Sequence, residues 1–177
     1  MRQHVNPFSK VFLDIQKIPP LSQIFENPFL PLHLDIGSGS GSFLIQLASK
    51  NKNWNYLGIE IREKLVIKAN SKINDCDLNN LFFLFGNANI LINDITKKFP
   101  NDILKSVSIN FPDPWFKKKH HKRRVLQPEL IDKISKVMAK DSLIFIKTDV
   151  KELFLQMDSV IINSQIFKRY ANPRKIQ

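Results

Sequence analysis

One turn constrains this chain more than any other stretch. Leu32-His33-Leu34-Asp35-Ile36 runs directly into Gly37-Ser38-Gly39-Ser40-Gly41, and Phe43, Leu44 and Leu47 follow at helical spacing. A short apolar run, a glycine-rich turn and an amphipathic stretch read as a β-strand feeding an α-helix. Glycines in such a turn accept positive φ and let the backbone approach a ligand. Ser42 is expected to cap the helix. The unit then repeats. Tyr56-Leu57-Gly58-Ile59-Glu60 is a second strand, followed by a helix carrying Leu65, Val66, Ala69 and Ile73. Leu81 to Phe85 is an unbroken apolar run, as expected of a strand covered on both faces. Val107 to Phe111 is the fourth strand and residues 128–138 a helix, with Leu130, Ile131, Ile134, Val137 and Met138 on one side. Leu143 to Ile146 is the fifth strand, and Leu153, Phe154, Met157, Val160 and Ile161 mark a last helix. This alternation indicates an α/β fold: a doubly wound, mainly parallel sheet with helices on both faces.

Residues 1–31 are interrupted by Pro7, Pro19, Pro20, Pro28 and Pro31 and read as an irregular N-terminal arm. Its Val11-Phe12-Leu13 and Ile24-Phe25 are expected to pack onto the surface of a single domain over residues 32–177. Doubly wound sheets bind ligands beyond the carboxyl ends of their strands. Function is therefore expected at Asp35-Ile36-Gly37, Glu60, Gly86-Asn87, Asn110 to Trp115, and Lys147-Thr148-Asp149.

Charge narrows the partner. The 177 residues hold 27 Lys and Arg against 16 Asp and Glu, a net charge of +11. That balance favours a polyanion, because phosphate contacts release counterions. Cys76 is the single cysteine, which excludes an internal disulfide framework and a cysteine metal cluster, and points to a reducing, cytoplasmic compartment. Residues 1–30 hold no uninterrupted apolar run, so neither a signal peptide nor a membrane helix is expected. His120 and His121 are adjacent with no further ligand at metal-binding spacing, so no metal is expected.

The first turn is G-x-G-x-G behind a carboxylate. A dinucleotide fingerprint needs G-x-G-x-x-G, and the third position is Ser42 counted from Gly37 or Leu44 counted from Gly39. A carboxylate there would also repel a pyrophosphate. Glu60 is placed to accept from both hydroxyls of a ribose. The Asn87 amide offers both partners of an adenine edge, although asparagine after a strand is also ordinary turn chemistry. In Asn110-Phe111-Pro112-Asp113-Pro114-Trp115, two prolines fix φ on either side of Asp113 and bias Phe111 and Asp113 to extended backbone. Trp115 and Phe116 offer flat faces for a flipped base. Lys117 to Arg124 follows, six of eight residues being Lys or Arg, a cationic track suited to RNA phosphates in which Lys122, Arg123 and Arg124 are the contacts.

The first turn resembles that of Rossmann-like methyltransferases, whose cofactor is S-adenosylmethionine. The loop and the basic residues after it, Phe111-Pro112-Asp113-Pro114-Trp115 with Lys117, His120 and Lys122-Arg123-Arg124, are similar to those of the bacterial tRNA (guanine-N7)-methyltransferases. The resemblance runs from about Arg2 to Asp149. It implies methyl transfer from S-adenosylmethionine to N7 of a tRNA guanosine, typically guanosine 46 in the variable loop. It assigns cofactor contacts to Asp35, Glu60, Asn87 and Asp113, with Gly37 and Gly39 in the turn. Asp113 becomes the active-site residue, and Lys117 and Asp149 become substrate contacts. Family members more often carry Glu at position 35 and Asp at position 87. They also continue into a Thr-x-x-Glu motif and a terminal strand pair. The sequence as given ends at Ala171 to Gln177 without these, so a sheet lacking that pair is expected. Guanine N7 needs no base to remove a proton, so Asp113 is expected to stabilise charge and position the purine. The expected partner is tRNA, with no obligate protein partner and a monomeric or homodimeric state. The rival readings are a methyltransferase for another RNA site or a small amine, and a non-catalytic RNA-binding relative. An NAD oxidoreductase is more distant, because the glycine spacing is wrong.

Overall fold

A computed structural model describes residues 5–12 and 18–170, apart from the side chain of Thr96. After a 3-10 turn at Lys10–Phe12, the elements are α1 (Leu21–Ile24), β1 (Leu32–Ile36), α2 (Ser42–Lys50), β2 (Asn55–Glu60), α3 (Glu63–Cys76), β3 (Leu81–Phe85) and α4 (Ala88–Lys98). Next come β4 (Leu104–Asn110), a second 3-10 turn (Lys118–Arg123), α5 (Pro128–Ser135), β5 (Met138–Lys147) and α6 (Lys151–Asn163). The five strands form one sheet in the order β3-β2-β1-β4-β5, and every pairing is parallel. Strand order reverses between β1 and β4, which makes that crevice the natural ligand site.

Alternation along each strand divides the core in two. Leu34, Ile36, Leu57, Ile59, Val107 and Ile109 pack with Ile92, Ile131, Leu153 and Met157, so α4, α5 and α6 cover one face. Tyr56, Leu81 and Phe83 pack with Leu44, Ala48, Val66 and Ala69, so α2 and α3 cover the other over β2 and β3. The second face is polar where β1 meets β4, because His33, Asp35, Ser106 and Ser108 alternate with the apolar set and are buried. The arm is more tightly packed than expected: Ile18, Leu21 and Phe25 belong to the main core. Phe12 meets Phe85 edge-on at 6.1 Å, whereas Val11 stays exposed. Leu13 and the segment from Ala171 to Gln177 lie outside the described residues.

Four local expectations are corrected. Gly41, not Ser42, is the N-cap of α2, in the left-handed region at φ 79° and with no side-chain cap bond. Helix α5 ends at Ser135, and Met138 already pairs with Leu104 across the sheet. The sequence pattern assigns no element to α4, yet Leu91, Ile92 and Ile95 form its buried face and Asn87 caps it. Phe111 is not extended. It sits at φ 48°, while its N–H still continues the ladder to β5 by donating to the Lys147 carbonyl at 2.7 Å.

Candidate active site

A cavity of about 420 Å³ opens beyond the carboxyl ends of β1 to β4. Ile36, Gly37, Ile59, Glu60, Gly86, Asn87 and Ala88 form its inner wall, and Phe111, Pro112, Asp113 and Trp115 form the opposite side. Lys122, Arg123 and Arg124 lie along it, and Val5, Pro7 and Phe8 of the arm cover it. Its size suits a nucleoside-sized ligand, since small-molecule sites span roughly 300–1,000 Å³.

Glu60 is the best-held carboxylate here. It is buried at the end of β2, and its Oε2 accepts the Gly39 N–H at 2.8 Å. Arg62 grips the same group through Nε to Oε1 at 2.8 Å and Nη2 to Oε2 at 3.1 Å. That bond holds the Arg62 guanidinium above its ordinary value, burial opposes it, and the charge of Asp113 across the cavity adds to it. Arg62 and Asp113 both line the cavity. Sequence reasoning missed Arg62, although a cation two residues past a strand-end carboxylate was a visible signal.

The loop from Phe111 to Trp115 is strained and clamped. Phe111 at φ 48° and Trp115 at φ 43° are bulky residues in the left-handed region, each costing on the order of 1–3 kcal/mol. Two contacts hold them. One is the Phe111 N–H to Lys147 bond, and Lys147 Nζ also lies 5.4 Å from the Phe111 ring centre. The other is Arg124, only 3% exposed, whose Nε donates to the Pro114 carbonyl at 2.8 Å while Nη2 donates to Glu152 on α6 at 2.9 Å. Arg124 therefore braces the loop from inside rather than facing solvent. Arg123 lies 5.1 Å over the Trp115 ring, and His120 meets that ring edge-on at 5.7 Å. Trp115 thus has one face taken by a cation, while Phe116 is exposed.

Asn87 lines the cavity and serves the fold as well. Its Oδ1 accepts from the Asn89 N–H as the N-cap of α4, and its Nδ2 donates to the Pro7 carbonyl at 3.1 Å. Asp35 lies behind the wall. It is 2% exposed, its Oδ1 accepting from Ser108 at 2.5 Å and from Asn110 at 3.3 Å. Burial pushes its carboxyl up to about 6, the two donors draw it down, and Glu60 raises it further. Lys117 and Asp149 are exposed and are not part of the cavity wall. The contribution of Val5, Pro7 and Phe8 had no local sequence signal, because it depends on how the arm folds back. Among the described residues, no cluster of three or more His, Cys, Asp or Glu is arranged to hold a metal, and no helix is long and apolar enough to cross a membrane.

The site therefore combines a buried carboxylate, apolar walls from β1 and β2, a rigid second carboxylate and cations at its rim. A flat heterocycle bearing hydroxyls fits the first two, and an anionic polymer fits the last. A family model described as "Putative methyltransferase" matches residues 30–177. A tRNA (guanine-N(7)-)-methyltransferase of Prochlorococcus marinus subsp. pastoris (strain CCMP1986 / NIES-2087 / MED4) is 57% identical over 187 aligned positions, covering 100% of this chain and 90% of that protein. A protein of the same name from Prochlorococcus marinus (strain MIT 9515) is 60% identical over 171 positions, covering 97% of this chain and 82% of its own length. Among solved structures, precorrin-6y C5,15-methyltransferase from Geobacter metallireducens GS-15 superposes with a TM-score of 0.58 at 14% identity, over 81% of this chain and 67% of that one. At that identity the likeness concerns the fold alone.

Proposed function

The chain belongs to the tRNA (guanine-N(7)-)-methyltransferase family, and from that premise we propose that it transfers a methyl group from S-adenosylmethionine to N7 of a tRNA guanosine, at position 46 of the variable loop, in the cytoplasm. The observation that carries this reading is the single cavity lined by both Glu60 and Asp113, with Lys122 and Arg123 along it. The cofactor, when bound, supplies a methyl group on a cationic sulfur, open to displacement by a lone pair.

The chain's own groups then have separate tasks. Glu60 accepts from the ribose hydroxyls, in exchange with Arg62. Ile36, Ile59 and Ala88 provide apolar walls for the adenine, whose edge Asn87 meets with the capacity its cap leaves. Gly37 and Gly39 let the first turn come close, and Asp35 supplies negative charge toward the cationic amine. Guanine N7 carries a lone pair and no proton, so no side chain has to remove one. Asp113 accepts from the N1 and N2 hydrogens of the base and stabilises the positive charge that moves onto the purine. Its loop is rigid, so little reorganisation is needed at the moment of transfer. Lys122 and Arg123 meet backbone phosphates, and Lys117 and Asp149 extend the RNA contact outside the cavity. Arg124 acts through the loop it braces.

Incubation with unmodified tRNA and methyl-labelled cofactor, followed by nucleoside analysis, tests the reading. The expected product is N7-methylguanosine, and Asp113→Ala should lower the rate by about 10²–10³. A different methylated nucleoside would favour another RNA site. Cofactor and tRNA binding without turnover would favour a non-catalytic relative.

A further inference from the structure

Strand β1 carries a buried histidine that the proposed chemistry does not use. His33 is 6% exposed, and both of its ring nitrogens are engaged. Nδ1 lies 2.6 Å from Ser106 Oγ and Nε2 lies 2.9 Å from Ser108 Oγ. Ser108 Oγ donates to Asp35 Oδ1 at 2.5 Å. A hydroxyl has one proton to give. Ser108 gives its proton to Asp35, so toward His33 it must accept. The imidazole then carries its proton on Nε2, and Nδ1 accepts from the Ser106 hydroxyl. The donors run in one direction, from Ser106 through His33 and Ser108 to Asp35, and end on a carboxylate. Bonds aligned in this way polarise one another in a low-dielectric interior.

We propose that His33 is a positioning residue for the cofactor site, which through Ser108 keeps the Asp35 carboxylate ionised and aimed at the first turn. The proposal rests on the reading of Asp35 as the group that meets the cationic amine of the cofactor. The surroundings suit the task. Phe43 of α2 lies 6.2 Å from the imidazole and Tyr56 of β2 5.9 Å, ring centre to ring centre, while β4 presents Ser106 and Ser108. Burial holds His33 down to about 4, so at neutral pH it is uncharged and both donates and accepts. Asp35 faces Ser108 and Asn110 of β4, and the charged group acting on it is Glu60 of β2, which opposes ionisation. A buried carboxyl in that position needs donors to stay charged.

Two measurements on the whole protein test the relay. The first is an NMR titration of the Asp35 carboxyl carbon in wild type, His33→Phe, His33→Gln and Ser108→Ala. The second is the affinity for S-adenosylmethionine against pH in the same proteins and in Asp35→Asn. His33→Phe and Ser108→Ala should move the Asp35 midpoint up by about one pH unit or more, a tenfold change. Their affinity should fall about threefold near pH 6.5, more at lower pH, and recover above pH 8.5. His33→Gln keeps a donor toward Ser108 and should stay near wild type. An unmoved Asp35 midpoint in both His33→Phe and Ser108→Ala overturns the proposal, as does an affinity loss equal at every pH, which marks a packing defect. If the midpoint moves but Asp35→Asn binds as wild type does, the reading of Asp35 as a cofactor contact is overturned while the relay stands.

Discussion

Gly39→Ala and Gly41→Ala add the same methyl group to the same turn, yet the two positions differ sharply in what that methyl meets. Gly41 sits at φ 79°, and a Cβ there would lie 2.5 Å from Phe83 Cζ and 3.0 Å from Ala69 Cβ. Phe83 is 2% exposed and packed between β3 and α3, so its ring has nowhere to go. A left-handed alanine costs roughly 1–2 kcal/mol. Overpacking a close-packed core adds roughly 1–3 kcal/mol. Gly41→Ala should therefore lose about 2–5 kcal/mol, a large part of a stability of about 5–15 kcal/mol. Gly39 sits at φ 58°, but nothing lies within 4 Å of its added Cβ. Only the backbone cost applies, about 1–2 kcal/mol. On the proposed reading that open space belongs to the cofactor, so Gly39→Ala should bind S-adenosylmethionine at least about tenfold more weakly. Urea unfolding with unchanged slope measures the first effect and calorimetry the second. If Gly41→Ala unfolds at the same urea midpoint as Gly39→Ala, the packing argument is wrong.

Arg124→Met removes the donor to Pro114 and leaves a carbonyl unpaired. It should cost about 1.5–3 kcal/mol in denaturant unfolding, with a lower turnover as well. Glu152 is 61% exposed, so Glu152→Gln should change stability much less; equal losses would place the clamp elsewhere. The buried pair on β1 sets a pH signature. His33 falls from 6.5 to about 4 on folding, so its contribution is full above pH 6.5 and is lost as pH falls through 4, in total about 3 kcal/mol. Asp35 rises from 3.8 to about 6, so its contribution is full below 3.8 and is lost as pH rises through 6, also about 3 kcal/mol. The two slopes nearly cancel between pH 4 and 6. The stability difference between wild type and His33→Phe should therefore shrink by about 3 kcal/mol as pH drops from 6.5 to 4, and a constant difference would contradict this. Lys117→Ala and Lys122→Ala should each weaken tRNA binding and reduce its salt slope by about one. An unchanged slope would remove that residue from the phosphate track.

The strands around the switch point were legible because their residues are constrained twice, by burial and by the turn that follows. Leu32 to Ile36 and Leu81 to Phe85 coincide with β1 and β3, and Glu60 ends β2 as expected. Helix α4 was hidden by its polar residues. Asn87 reads as turn chemistry and Asn89, Asn93 and Asp94 break up the apolar stretch, although Leu91, Ile92 and Ile95 carried a helical spacing. Met138 fits a helical stripe but is claimed by the sheet through its pairing with Leu104. In the site, residue types were readable while their partners were not. Asn87 holds the arm through Pro7 and Arg124 points inward to Glu152, because each depends on segments distant in sequence that only the fold brings together, whereas the local Arg62–Glu60 pair was readable from its spacing.

The central claim is transfer to N7 of one tRNA guanosine. The direct measurement uses two tRNA transcripts identical except at position 46, one with guanosine and one with 7-deazaguanosine, which has a carbon in place of N7. The account predicts label from methyl-labelled S-adenosylmethionine in the first transcript and none above background in the second. Equal labelling of both transcripts would contradict it.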